Sequence, residues 1–251
     1  MQVSSKVLSP ARRLTKLYIV ALSVVALLSI VAQVLVQHAL DQQSGDARII
    51  NIAGRQRMLS QRLSKAALVL QITTDAAERK NRAQELKNVL DLWERSHIGL
   101  QHGDPEKGLP GKNSPEVVSM FAAIEPYHQS MVRDAKDLLA AVGPDGSQKV
   151  DPSAIQLAIA QILAAEPNFL TGMDKIVFQY DKEATARVDR LKEVELILLA
   201  VTLLVLLLEG LYVFRPAVRE IRKTITELVT AKGYLDNTVQ ALRSIAGVGS
   251  Q

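Results

Sequence analysis

Two apolar runs, residues 17–36 and 196–214, constrain this chain more than any other feature. The first carries no charge, and the second is interrupted only by Glu209. About twenty such residues cross a bilayer core, and backbone in lipid must satisfy its own hydrogen bonds, so each run is expected as a helix. Arg12, Arg13 and Lys16 precede the first run, and Arg215, Arg219, Arg222 and Lys223 follow the second. Basic residues mark the cytoplasmic flank. Both termini are therefore placed in the cytoplasm, with residues 37–195 outside. A cleaved signal peptide is the rival for the first run, but the run exceeds a usual signal core and no clear small-x-small site ends it. The expected organisation is a cytoplasmic N-terminus (1–16), a span (17–36), an outer domain (37–195), a second span (196–214) and a cytoplasmic tail (215–251). Glu209 is expensive inside a span, and snorkelling toward Arg215 is its plain account.

Between the runs the pattern is helical. Hydrophobic residues make up 48% of the chain but aromatics only 4%, whereas β-rich domains need aromatic and β-branched side chains. The class is all-α. The first span is expected to continue to about Thr73, with Gly45 as a weak point. Asp75 caps a second helix, 76–95, with Leu86, Leu90 and Trp93 on one face. The glycines and prolines of 96–114 read as a loop containing His97 and His102. Ser114-Pro115-Glu116 starts a third helix, with a kink expected at Pro126 and an end near Val142. A turn is expected at 143–146. A short helix, 152–165, should stop before Pro167, and a last helix, 168–190, should feed the second span. Together these form a four-helix up-and-down bundle with an extra short helix.

The sequence INIAGRQRMLSQRL, starting at Ile50, sets Arg55, Arg57 and Arg62 in a segment that otherwise reads as a buried helix. Arginine is costly to bury without an anionic partner, and its planar fork matches a planar oxyanion. On a helical wheel, Ile49, Ile52, Gln56, Leu59, Leu63, Ala66 and Leu70 form a stripe facing the core. A neighbouring stripe holds Ile50, Ala53, Gly54, Arg57, Ser60, Gln61 and Ser64, whose small residues admit a close second helix. Arg55 and Arg62 share a third, more exposed face. Were a second subunit to pack on the small stripe, two Arg57 side chains would meet across a two-fold axis and repel unless an anion bridged them. Three solvated arginines on an exposed helix are the plain alternative.

These residues resemble the P-box of the NarX/PilJ-type periplasmic sensor domains, found in nitrate- and nitrite-sensing kinases and in type IV pilus chemotaxis transducers. LWERSHIGLQHGDPEKGLPGKNSPEV, from Leu92, is similar to the family's helix–loop–helix. FLTGMDKIVFQYDKEATARVDRLKEVE, from Phe169, is similar to its last helix. The resemblance implies a bacterial inner-membrane, two-pass receptor whose periplasmic bundle binds a small oxyanion at a homodimer interface. It implies that Arg57, in the Arg57-Met58 pair, contacts the anion from both subunits. It further implies that Gly54 and Arg55 offer backbone N–H groups and that Arg62 is the second box arginine. The Gly-Arg-Gln-Arg-Met version stands closer to the pilus-transducer branch, so the anion stays open.

Other chemistry finds little purchase. The chain has no cysteine, and its net charge of +4 is dispersed, which excludes thiolate chemistry and gives no basic, aromatic-lined face for nucleic acid. His38, His97, His102 and His128 show no i,i+4 pair and no carboxylate at metal-ligand spacing. Neither a catalytic signature nor a cofactor motif is present, so no enzyme, metal or cofactor is expected. Gly103-Asp104-Pro105 reads as turn chemistry, Trp93 as a bundle anchor and Met58 as packing. After a break at Arg215-Pro216, a helix from Ala217 to about Ile245 carries Val218, Ile221, Ile225, Leu228, Leu235, Val239 and Leu242 at coiled-coil spacing. About thirty-five residues cannot hold a kinase, a cyclase or a chemoreceptor tip. Either the chain is a receptor acting through a cytoplasmic or membrane signalling partner, or it is a piece of a longer product. The alternative to a receptor is a ligand-independent membrane scaffold or adaptor that assembles partners through its bundle and coil.

Overall fold

The computed structural model describes the backbone of residues 4–143 and 152–248, and side chains from 15 to 143 and 152 to 240. Five α-helices account for nearly all of it: α1 (Ser4–Ile72), α2 (Ala76–His102), α3 (Pro115–Val142), α4 (Pro152–Glu209) and α5 (Arg215–Val248). No strand forms among the described residues beyond the isolated bridge Asp104↔Leu109. The chain divides into two units, Gln37–Leu191 on one hand and Met1–Val36 with Lys192–Gln251 on the other. Two helical stretches are long and apolar enough to cross a membrane. Their apolar side chains, including Leu27, Ile30, Leu199 and Leu204, are exposed, as a lipid-facing surface requires.

Local chemistry starts the helices of the larger unit. The Asp75 carboxylate accepts the Glu78 N–H at 2.8 Å. The Ser114 hydroxyl accepts the Val117 N–H at 3.2 Å, with Pro115 in the first turn. Each satisfies a donor that the first helical turn leaves without a partner. α1 runs through Gly45 without a break, and α3 through Pro126.

Three boundaries differ from the sequence expectation. α2 runs to His102 rather than 95, so His97 and His102 lie on a helix. Ser96, His97, Gly99 and Leu100 are buried, and packing outweighs their weak helix propensity. Gly99 lets the following loop approach closely: a Cβ there would stand 3.0 Å from Asp104 Cβ and 3.1 Å from Leu109 Cδ1. The true loop is 103–114. Within it Asp104 caps a 3₁₀ turn, Pro105–Lys107, by accepting the Lys107 N–H. Lys107 beside Asp104 holds that carboxyl below its ordinary range. Gly111 has φ +64°, and a Cβ there would fall 2.3 Å from the Gly103 nitrogen, so this position admits only glycine.

The second difference is at Pro167. No short helix ends there, because α4 continues through it. Ile159, Ile162, Phe169, Met173, Ile176 and Tyr180 are buried on both sides of the proline at spacings of three, four and seven. One apolar stripe in constant phase stabilises more than the single lost hydrogen bond costs. Third, the helix does not break at Arg215-Pro216. A π-helical turn, Gly210–Phe214, precedes it, and the Arg215 N–H reaches the Gly210 carbonyl. Widening the turn makes room where the proline ring would crowd the carbonyl four residues back. Glu209, at the start of this turn, is buried with Oε1 unpartnered among the described residues, not extended toward solvent. Gly143 ends α3 at φ +71°. The rest of the expected 143–146 turn lies outside the described residues, as do the side chains of Arg12, Arg13 and Leu242.

One core in the Gln37–Leu191 unit draws on α1 (Ala53, Leu63), α2 (Trp93), α3 (Phe121) and α4 (Phe169). Polar pairs set the registers. Asp46–Arg187 and Arg57–Asp174 run α1 against α4. Ser114–Glu183 and Glu116–Gln179 run α3 against α4, and Glu94–Lys136 with His97–Glu125 run α2 against α3. In each case numbers rise on one helix as they fall on the other, so the pairs are antiparallel.

Candidate functional site

The arginine segment lies in mid-α1 as one uninterrupted helix. Its expected core stripe is buried at Gln56, Leu59, Leu63, Ala66 and Leu70, with Ile49 and Ile52 packed partly against it. Gln56 is fully enclosed, and neither amide atom has a partner among the described residues. Ala53, Ser60 and Ser64 on the neighbouring stripe are also buried within the single chain. The chain's own helices therefore cover part of the small-residue face, while Ile50, Gly54 and Arg57 stay half-buried and Gln61 exposed.

Arg57 is half-buried, and its guanidinium donates to the carboxylate of Asp174 on α4. The partners' side chains are 37% and 41% exposed. Water reaches this pair, so it is worth only about 0–1 kcal/mol and can exchange for another anion. Nothing in the geometry requires glycine at Gly54, where a Cβ would make only ordinary contact with Arg57 Nη2 at 3.8 Å. The expected backbone donation from Gly54 and Arg55 is not available, because N–H groups in mid-helix already donate to carbonyls four residues earlier. Arg55 is exposed. Arg62 is exposed too and pairs with Glu85 at 3.2 Å; together with Arg82 it holds the Glu85 carboxyl below its ordinary range. Met58 is 49% exposed rather than packed. The three arginines do not converge: each faces its own surroundings, and Arg57 alone bridges α1 to α4.

Sequence reasoning missed a second constellation. His97 on α2, with Glu125 and His128 on α3, bring ligand-type atoms within 4.8 Å of one another. His97 Nε2 lies 3.0 Å from Glu125 Oε2, and His128 Nδ1 lies 3.8 Å from Glu125 Oε1. The imidazoles stack with centroids 3.7 Å apart and planes 16° apart. Trp93, Phe121 and Phe169 wall them in. The His97 hydrogen bond holds the Glu125 carboxyl down at about 2. Burial, helped by His97, pushes His128 down to about 3, so it is neutral near pH 7. The available signal was Glu125-x-x-His128, an i,i+3 pair on one helix face. The expectation of no carboxylate at ligand spacing is corrected accordingly.

Residues 38–151 match the family described as the type IV pili methyl-accepting chemotaxis transducer N-terminal domain, PilJ. The match covers the arginine segment, all of α2 and α3 and the loop between them, and it points to a transducer-like signalling sensor. No curated protein and no solved structure matches the chain.

Proposed function

We propose that the chain is a two-pass receptor of the bacterial inner membrane. Residues 37–195 form a periplasmic four-helix up-and-down bundle, and both termini are cytoplasmic. The bundle recognises a small oxyanion of the nitrate or nitrite kind through Arg57, on a face completed by a second copy. The observation that carries this reading is the half-exposed Arg57–Asp174 pair, whose arginine lies in the segment that matches a transducer domain. An incoming anion competes with the Asp174 carboxylate for one guanidinium. Binding therefore trades an α1–α4 contact for a ligand contact, giving the anion a differential affinity for two arrangements of these helices. No group on the chain is assigned catalysis. Output passes to a partner signalling protein through α5, where Val218, Ile221, Ile225, Leu228, Leu235 and Val239 are exposed along one stripe, the pattern of a two-stranded coil.

Calorimetry on the detergent-solubilised chain, titrated with nitrate, nitrite and chloride, tests the reading. A saturable oxyanion heat lost in Arg57→Ala supports it, and the same heat in that variant removes the site. The second reading, a ligand-independent scaffold, draws on the same α5 stripe. It predicts no anion heat, together with partner capture that fails in Leu228→Asp.

A further inference from the structure

Two buried imidazoles beside a carboxylate need an explanation that packing alone does not supply. His97 is 1% exposed and His128 is 4%. His97 Nδ1 and both ring nitrogens of His128 are buried without a hydrogen-bond partner among the described residues. Buried polar atoms are normally satisfied, and of these three His128 Nδ1, 3.8 Å from Glu125 Oε1, is the one that a partner at this carboxylate would satisfy. An apolar side chain would fill the same space without that cost.

The geometry indicates what the partner is. Two nitrogens, His97 Nε2 and His128 Nδ1, face the two oxygens of one carboxylate from adjacent helices. We propose that His97, Glu125 and His128 bind a divalent first-row transition ion, zinc foremost, between α2 and α3. Two imidazoles and a carboxylate are a zinc-type donor set that leaves a fourth position for water. The carboxylate is oriented by its neighbours: Gln129 Nε2 donates to it at 3.0 Å and Gln101 Nε2 at 3.4 Å, the kind of outer hydrogen bond that fixes a ligand. On the solvent side a groove lined by Glu94, Gln101, His102, Gln129 and Asp137 gives an entry path. The nearby cations are engaged, Lys136 by Glu94 at 3.0 Å and Arg133 by Asp134 at 3.2 Å. Drawing the donors in to the roughly 3.3 Å spacing that bonds of about 2.1 Å require takes side-chain rotation that unstacks the rings. The bound ion then ties α2 to α3 and stabilises the fold in proportion to its occupancy.

The test uses the full chain in detergent, without a polyhistidine tag, stripped with EDTA and titrated with zinc chloride, with cobalt chloride as the spectroscopic probe. The expected result is one zinc per chain, visible ligand-field bands with cobalt, and a thermal midpoint that rises with zinc. His128→Ala and Glu125→Gln each weaken binding at least tenfold and remove the cobalt bands, whereas His38→Ala, at an exposed site away from the groove, leaves both intact. Should His128→Ala fail to fold, the near-isosteric Glu125→Gln decides alone. Absence of retained zinc in the parent chain overturns the assignment, as does parental affinity in Glu125→Gln.

Discussion

The Arg57 and histidine loci use polar side chains in opposite ways. Arg57 and Asp174 keep solvent access and satisfy one another across α1 and α4. Both histidines give up solvent, His128 its charge as well, and they retain unpartnered nitrogens between α2 and α3. A wet, satisfied pair costs little to open, so it suits an exchange of partners. A dry, underpartnered cluster costs much to leave as it is, so it suits a partner that binds and stays. The difference teaches that charge is a poor guide to where stability resides in this domain: the three arginines are peripheral to the core, and the stacked imidazoles are part of it.

The largest effect should come from removing the wall of the histidine locus. Trp93 is fully buried and lies 4.5 Å from His128 and 4.9 Å from Phe169 between ring centroids. Trp93→Ala should cost about 3–5 kcal/mol in chemical denaturation followed by circular dichroism. A cost no greater than that of Arg57→Ala would erase the contrast between the loci.

Acid should separate them next. In EDTA, His128 has its pKa lowered by burial from 6.5 to about 3. Between those values the unfolded chain binds the extra proton, so stability falls as pH drops below about 6.5. The expected loss is roughly 3 kcal/mol by pH 4.5. Glu125, held at about 2 chiefly by His97, extends the loss in the same direction below its unfolded value of 4.5. Denaturation midpoints collected from pH 7.5 to 4.5 should decline in the parent chain and flatten in His128→Gln. An equal decline in both would place the acid sensitivity elsewhere.

The same contrast explains what could be read in advance. Asp75 and Ser114 were legible as caps because each acts on a donor three residues away, and the Gln56–Leu70 stripe because its period is local. The two apolar runs declared themselves by length. The end of α2 was not legible, since Ser96 and His97 are held by burial in the core and Gly99 by the close approach of Asp104 and Leu109. Pro167 misled for a related reason: the stripe that carries α4 through it depends on the core that other helices supply. Both polar loci depend on distance in sequence. Asp174 is 117 residues from Arg57, and Glu125 is 28 from His97. Helical wheels sort the faces of one helix and leave the facing residue unnamed, so Arg57 was assigned to a second subunit before its in-chain partner was visible.

Two smaller predictions concern the Arg57 side. If Asp174 occupies the guanidinium that an anion would use, Asp174→Asn should strengthen oxyanion binding by about three- to tenfold, roughly the worth of one exposed ion pair. Calorimetry with nitrate reads this directly, and weaker binding in that variant would make Asp174 a support for the site instead of its competitor. Arg62→Ala should change stability by less than about 0.5 kcal/mol, because its pair with Glu85 is exposed and Glu85 keeps Arg82 at 3.1 Å. The two variants together separate the arginines by role. Arg62 and Glu85 can part with no consequence beyond their own helices, whereas Asp174 lies on α4, whose residues 152–209 include both the core stripe and an apolar run. A change of partner at Arg57 is thus the only exchange in this segment that reaches such a helix.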